Sequence, residues 1–407
     1  MPRQGYQSTT YGLEISGWVL GIDCPAEAVE VRGDERVLVR TEVGRDRPDL
    51  PAAFPNAPTA RSSGFMATLS TLMLPDTFEL QLWTILQDES SIWIGTVRGR
   101  RTKLPAAGQS QMQPIIVTTF GRTGSSWLLR VLGSHPSIVA YRPFEYEARV
   151  LTYWSTVLTA LFEPKSYAQI LAADISQPRW WLGDASSEHL KFADRDIAAE
   201  LGLNASHEFA EFVHRRVELF YRAAAGLESA SAPRFFVEKL GLDPFLARLI
   251  RELYPAAKEI ILVRDFRDMI CSILAYNEKR QSLTFGREGV DSDEEFVAWI
   301  RDVAVEMLGY YRRRSPGAHL VRYEDLIVQP EATLTEVLDW LGVPSDSVVT
   351  STTLASASRE TPNMAGHRTA GDAERSVGRW SRDLPPSLRA RSTELLENVL
   401  AGFGYTA

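Results

Sequence analysis

The sequence predicts an α/β fold, a parallel sheet flanked by helices, preceded by a small antiparallel β-sandwich. Three observations predict it. The first hundred residues carry only short strand-like runs, a Pro, Gly, Gln and Ser stretch follows, and from residue 114 strand-like and helix-like segments alternate to the end. At 407 residues the chain exceeds a typical single domain, so the expected division is 1–104 for the sandwich, 105–113 for a linker and 114–407 for the α/β domain. An apolar share of 44% and a charged share of 24% fit a globular chain.

The β-rich runs of the first part lie at 13–20, 28–31, 36–43, 65–72, 78–86 and 91–97, separated by turn residues such as Pro75 and Asp76. In the second part, 115–120 (IIVTTF) reads as a buried strand, then a Gly/Ser turn, then a helix at 127–133. Further strands are expected at 234–237, 259–263 and 319–322, and helices at 208–222, 245–253, 293–313 and 331–341. The stretch 223–232 reads as an exposed loop. Ligands of such folds sit at the carboxyl ends of the strands.

Forty-four basic against 52 acidic residues give a net charge of −8, a poor start for a general nucleic-acid binder. Only six of the basic residues are lysines, so any grip on phosphate falls mainly to guanidinium groups. Cys24 and Cys271 are too few and too far apart for a disulfide framework or a cysteine metal site, and no metal is expected. No apolar run has the length of a membrane helix and the N-terminus carries no signal-like core, so a cytoplasmic location is the expectation.

Gly121, Arg122, Thr123, Gly124, Ser125 and Ser126 follow the first strand of the second part and lead into a helix. Free N–H groups at a helix N-terminus, the positive end of its dipole, two hydroxyls and a guanidinium together make a phosphate cradle. The bland alternative is that Ser125 and Ser126 only cap the helix. The strand, loop and helix are P-loop-like but not a Walker loop, because the lysine that pattern requires is missing. A second candidate site follows the strand at 259–263: Arg264 at its carboxyl end and Ser272 about two turns along a helix starting near Asp265. Here the alternative is a pair of surface ion pairs, Arg264 with Asp265 and Arg267 with Asp268, worth little.

Arg122-Thr123-Gly124-Ser125-Ser126 fits the (Lys/Arg)-(Ser/Thr)-Gly-(Ser/Thr)-(Ser/Thr) loop of the sulfotransferases that use 3′-phosphoadenosine 5′-phosphosulfate (PAPS), and Arg264 and Ser272 match a family pair at the same separation. Over about 114–407 the chain resembles that family. Its Arg in the basic slot and its His135-Pro136 are closer to the bacterial, carbohydrate and tyrosylprotein types than to the cytosolic phenol and steroid type. The resemblance implies that Arg122, Thr123, Gly124, Ser125 and Ser126 bind the 5′-phosphosulfate and that Arg264 and Ser272 bind the 3′-phosphate. It also implies that 321–326 lies behind the cofactor, while 376–380 closes over the nucleotide with contacts from Arg368, Ser376 and Arg379. The Arg-Lys-Gly triplet of cytosolic members is absent.

Sulfuryl transfer is an in-line displacement, so it needs cations at the leaving phosphate and a base for the acceptor hydroxyl. Arg122 and Lys239 are the candidate cations. Lys239 is expected directly after the strand, where tyrosylprotein members carry a lysine facing the transferring group. Glu145 in its Arg-Pro-Phe-Glu setting is the candidate base, with Glu147 a competitor. The acceptor is a hydroxyl of a carbohydrate, glycolipid or small molecule, and adenosine 3′,5′-bisphosphate is released. Trp180 and Trp181 suit either a sugar-stacking platform or a core pair. His189, His207 and His214 read as structural or surface residues. Two rivals stand beside this reading: a P-loop kinase with a degenerate loop, and an adaptor that kept the fold and lost activity.

Overall fold

The computed structural model describes residues 11–33, 36–108, 112–144, 148–162, 203–228, 233–358, 369–370 and 372–405. The chain divides into two compact units, one of residues 1–106 and 154–214, the other of 107–153 and 215–407.

In the first unit lie β1 (Gly12–Trp18), β2 (Ala26–Gly33), β3 (Arg36–Glu42), the single-turn α1 (Leu50–Ala53), β4 (Gly64–Ser70), β5 (Thr77–Leu86) and β6 (Ser91–Arg100). All pair antiparallel, as β3-β2-β5-β6 in a four-stranded sheet and as β1-β4 in a ribbon. Alternation in β4 buries Phe65, Ala67 and Leu69, the period-2 signature of a strand with one covered face. The Thr41 hydroxyl donates to the Met66 carbonyl at 3.0 Å and ties the ribbon to the sheet. The antiparallel sheet expected at the N-terminus is therefore present, as a sheet with an attached ribbon.

The second unit begins with β7 (Gln113–Thr119), α2 (Ser125–Leu132) and β8 (Ile138–Val139). Next come α3 (Val150–Phe162) and α4 (Ala205–Glu228), both crossing the division between units, then β9 (Phe235–Leu240), α5 (Pro244–Leu253), β10 (Lys258–Val263) and α6 (Phe266–Arg280). The remaining elements are α7 (Asp293–Arg314), β11 (Ala318–Arg322), α8 (Tyr323–Val328), α9 (Pro330–Leu341), α10 (Ser347–Ala357), α11 (Trp380–Asp383) and α12 (Pro386–Gly402). Five strands form one parallel sheet in the order β11-β10-β7-β9-β8. A parallel sheet covered on both faces demands continuous apolar strands, and Ile115, Ile116, Val117, Ile260, Ile261 and Leu262 are all buried. Leu128, Leu129 and Leu132 of α2 and Leu334, Val337 and Leu338 of α9 complete that core.

From β7 the chain first crosses to β8 at one edge, returns through β9, and then builds β10 and β11 on the other side of β7. The carboxyl end of β7 thus lies between β9 and β10, where the strand order reverses, which is the position at which open α/β sheets hold ligands.

The structure corrects several expectations. Helix α4 runs on through Ala223, Ala224 and Ala225 to Glu228 where a loop was expected, because alanine is the best helix former and Ala224 and Ala225 are buried. Strand β9 extends to Leu240, so Lys239 sits inside the strand rather than after it. Helices α3, α10 and α12 were not foreseen. Among the described residues no helix is long and apolar enough to cross a membrane, and no three His, Cys, Asp or Glu side chains converge as metal ligands.

Candidate functional site

The buried run of β7 ends at Thr119, and the next five residues turn the chain into α2. Gly124 stands at the helix N-cap with φ +88°. A Cβ there would lie 2.3 Å from Cδ2 of Tyr323, so both the conformation and the close packing require glycine. The Thr123 side chain turns inward: its hydroxyl lies 2.5 Å from that of Thr119 and donates to the Phe120 carbonyl at 2.9 Å. Thr119 in turn donates to the Leu262 carbonyl of β10 at 3.0 Å. Thr123 therefore pins the loop to the sheet, which leaves its backbone N–H as the group it can offer an anion. Ser125 is buried and Ser126 exposed at the start of α2, where backbone N–H groups lack intrahelical acceptors.

Arg122 adopts φ +66°, rare for a residue with a side chain, and such strain concentrates at functional positions. Its side chain does not stay with the loop. Nε donates to the Ser272 hydroxyl at 3.2 Å, and the guanidinium stacks on Tyr276 at 4.6 Å from the ring centre. The two phosphate sites expected from the sequence are therefore in contact through Arg122 and Ser272, 150 residues apart in the chain.

Asp265 caps α6, as expected for a helix beginning there, accepting from the Arg267 N–H at 2.9 Å. Neither ion pair of the alternative reading occurs among the described residues. Arg267 pairs with Asp265 at 2.7 Å and is buried, and Arg264 makes no ion pair among the described residues. Arg264 leaves the end of β10 and is itself 4% exposed. It donates to the Arg122 carbonyl at 3.2 Å and the Ser376 carbonyl at 2.6 Å, and stacks on Tyr323 at 4.7 Å. Its buried Nε has no partner among the described residues. Ser272 lies 3.3 Å from the Thr369 hydroxyl, which receives Arg379 at 3.1 Å. Ser376 shares a hydrogen bond with the Tyr323 hydroxyl at 3.0 Å.

Three guanidinium groups, from Arg122, Arg264 and Arg379, thus gather around two hydroxyls at the carboxyl edge of the sheet. Burial, together with the nearby Arg264 and Arg379 charges, pulls Arg122 down to about 10 against an opposing pull from Tyr276. A guanidinium held in a desolvated place beside other cations is stabilised by an anion. The buried Nε of Arg264, without a partner among the described residues, and the backbone N–H groups at the start of α2 are donors suited to anionic groups.

Lys239 is half-buried on β9, opposite Val117 of β7, and alternation points it away from the face that Glu238 occupies. Glu238 is fully buried. It accepts from the backbone of Leu151 at 2.7 Å and Thr152 at 3.1 Å, and from the Tyr221 hydroxyl at 2.6 Å. Burial raises its pKa above the usual carboxylate range, against the pull of these donors. His135 accepts from the Ser137 N–H at Nδ1, 3.1 Å, and its Nε2 lies 2.9 Å from the Pro344 carbonyl. That pattern is a neutral ring bracing the turn after α2, in keeping with a pKa lowered by burial. Glu145, Glu147, Arg368, Trp180, Trp181 and His189 lie outside the described residues.

From the sequence, Tyr323 enters only as part of 321–326 behind the cofactor, Thr369 only as part of a Gly-containing, basic lid at 367–371, and Asp268 only as the ion-pair partner of Arg267 in the alternative reading. Tyr276 was missed, although it lies four residues after Ser272 and so on the same face of α6.

The model of the sulfotransferase family matches residues 114–347, from β7 to the first turn of α10. No curated protein sequence matches the chain. Among solved structures, it is similar to a sulfotransferase domain of the curacin biosynthetic pathway, at 17% identity and TM-score 0.42 over 71% of this chain and 97% of that one. A sulfotransferase domain of the Synechococcus PCC 7002 olefin synthase is 18% identical, at TM-score 0.42 over 73% and 98%. A mouse sulfotransferase solved with PAP is 12% identical, at TM-score 0.37 over 71% and 84%. A family match spanning more than half the sequence, with a phosphate-type loop and an arginine cluster at the same sheet edge, identifies the chain as a member of the sulfotransferase family.

Proposed function

We propose that this protein transfers a sulfuryl group from PAPS to a hydroxyl acceptor and releases adenosine 3′,5′-bisphosphate. The observation that carries the reading is the Arg122–Ser272 hydrogen bond at 3.2 Å, which joins the loop after β7 to the helix that follows Arg264. Backbone N–H groups of residues 123–126 and the start of α2 would take the 5′ end. Arg264, Ser272, Arg379 and Ser376 would hold the 3′-phosphate, with Arg368 joining them. Arg122, placed between the two sites, neutralises charge at either end.

The chemistry follows from charge movement. In an in-line displacement, negative charge builds on the oxygen that bridges sulfur and phosphorus as their bond breaks, so cations preorganised there lower the barrier. Arg122 and Lys239 have this role. Glu145, with Glu147 as the competing candidate, takes the acceptor proton as the hydroxyl attacks sulfur. The preferred acceptor class is a carbohydrate or glycolipid, with residues 1–104 as an accessory β module and 114–407 as the catalytic domain.

Incubation with sulfur-labelled PAPS and a panel of saccharide and small hydroxyl acceptors tests the proposal. Labelled acceptor and equimolar adenosine 3′,5′-bisphosphate are expected. Binding of ATP with Mg²⁺ in preference to the bisphosphate would favour a kinase, and bisphosphate binding without transfer to any acceptor would favour an adaptor.

A further inference from the structure

We propose that Asp268 is a positioning residue for the nucleotide site, its carboxylate latching the 376–380 segment beside the arginine cluster. This rests on the reading of that cluster as a nucleotide-phosphate site.

Asp268 lies midway between Arg264 and Ser272, in the first turn of α6, and is fully buried. It is not the cap of that helix, a role filled by Asp265. Each of its oxygens instead accepts a different backbone N–H from far along the chain, Oδ2 from Gly378 at 2.7 Å and Oδ1 from Trp380 at 2.8 Å. Among the described residues it makes no ion pair, so these charge-assisted bonds are the main compensation for burying the carboxylate. The guanidinium of Arg267, the preceding residue, lies 3.8 Å over the Trp380 ring and fixes the far end of the same turn.

What the turn carries explains why its placement matters. Ser376 precedes it and meets both Arg264 and Tyr323. Arg379 lies between the two latched amides and reaches Thr369, whose hydroxyl adjoins Ser272. The turn passes through Gly378 at φ +65°, with nothing within 4 Å of where a Cβ would stand. A carboxylate on α6 thus sets the distance between Arg264 and Ser272, on one element, and Ser376 and Arg379, on another.

Asp268→Asn keeps the size of the side chain but offers one good acceptor and turns an NH₂ toward the second N–H. Two readouts are taken on the full chain: amide hydrogen exchange at Gly378 and Trp380 without ligand, and calorimetric binding of adenosine 3′,5′-bisphosphate. The expected result is exchange at those two amides at least about tenfold faster and affinity about tenfold weaker. Gly378→Ala acts only through the backbone and is expected to weaken binding about fivefold or more. It carries the test if Asp268→Asn does not fold. Faster exchange with unaltered affinity, or weaker affinity with unaltered exchange, overturns the proposal, as does parental binding by Gly378→Ala. Failure of the parent to bind the bisphosphate counts against the functional reading alone. Exchange at Gly378 and Trp380 in Asp268→Asn then decides the latch, unchanged rates overturning it.

Discussion

Arg122 shows how a single side chain can join two sites that the sequence separates. Its type and place in the loop were legible, because a glycine and serine turn after a buried strand has few other uses. Its reach to Ser272 was not, since it depends on a positive φ and on the Tyr276 ring beneath the guanidinium. Thr123 teaches the reverse lesson. A threonine in a phosphate-type loop is expected to bind the ligand, yet its hydroxyl lies against that of Thr119, donates to the Phe120 carbonyl and stiffens the turn. The roles proposed for Glu145 and Lys239 separate at this scale. Glu145→Gln should leave bisphosphate affinity intact and lower turnover by about two to four orders of magnitude, the usual range for a general base. Lys239→Ala should lower turnover more than affinity. Rapid-quench kinetics alongside calorimetry would distinguish them, and parental turnover in Glu145→Gln would move the proton-accepting role to Glu147.

At the level of elements, β9 carries two charged neighbours on opposite faces. Lys239 stands on one face, while Glu238 is buried on the other and receives the first N–H groups of α3 together with the Tyr221 hydroxyl. In the sequence Glu238 was indistinguishable from a strand-end surface residue, because nothing local shows that α3 ends on it. Glu238→Gln leaves at least one donor facing an NH₂ and should destabilise the fold by about 1–3 kcal/mol. The pH dependence has a definite sign. Burial raises this carboxyl in the folded state. Its contribution is therefore fully present below the unfolded value of about 4.3 and is lost as pH rises through the raised folded value. Urea titrations across pH should show a smaller loss of stability on going from acid to neutral in Glu238→Gln than in the parent. Equal slopes would mean that Glu238 is not the group responsible. One helix boundary was legible from its cap, at Asp265; Asp243 also caps its helix, its side chain accepting from the Leu246 N–H at 2.9 Å, but was not read as a cap in the sequence. Helix α10 was missed although Asp346 caps it, because its Ser and Thr residues blur the apolar period.

For the whole molecule, the order of strands does most to locate function. Alternating strands and helices predicted a parallel sheet, but only the arrangement β11-β10-β7-β9-β8 shows that the loop after β7 and the arginine after β10 share one crevice. Composition had already pointed to arginine as the anion-binding residue, and three arginines meet there. Thr369, Ser376 and Arg379 come from a segment about a hundred residues beyond Ser272, a juxtaposition that no local pattern encodes. One nucleotide bridging both donor sets is the central proposal. Calorimetry comparing adenosine 3′,5′-bisphosphate with adenosine 5′-monophosphate tests this most directly. Loss of the 3′-phosphate should weaken binding about tenfold to a hundredfold, since each charge-assisted bond contributes about 1.5–3 kcal/mol, and Arg264→Ala should erase most of that difference. Equal affinity for the two nucleotides, or a preference that survives Arg264→Ala, would contradict the account.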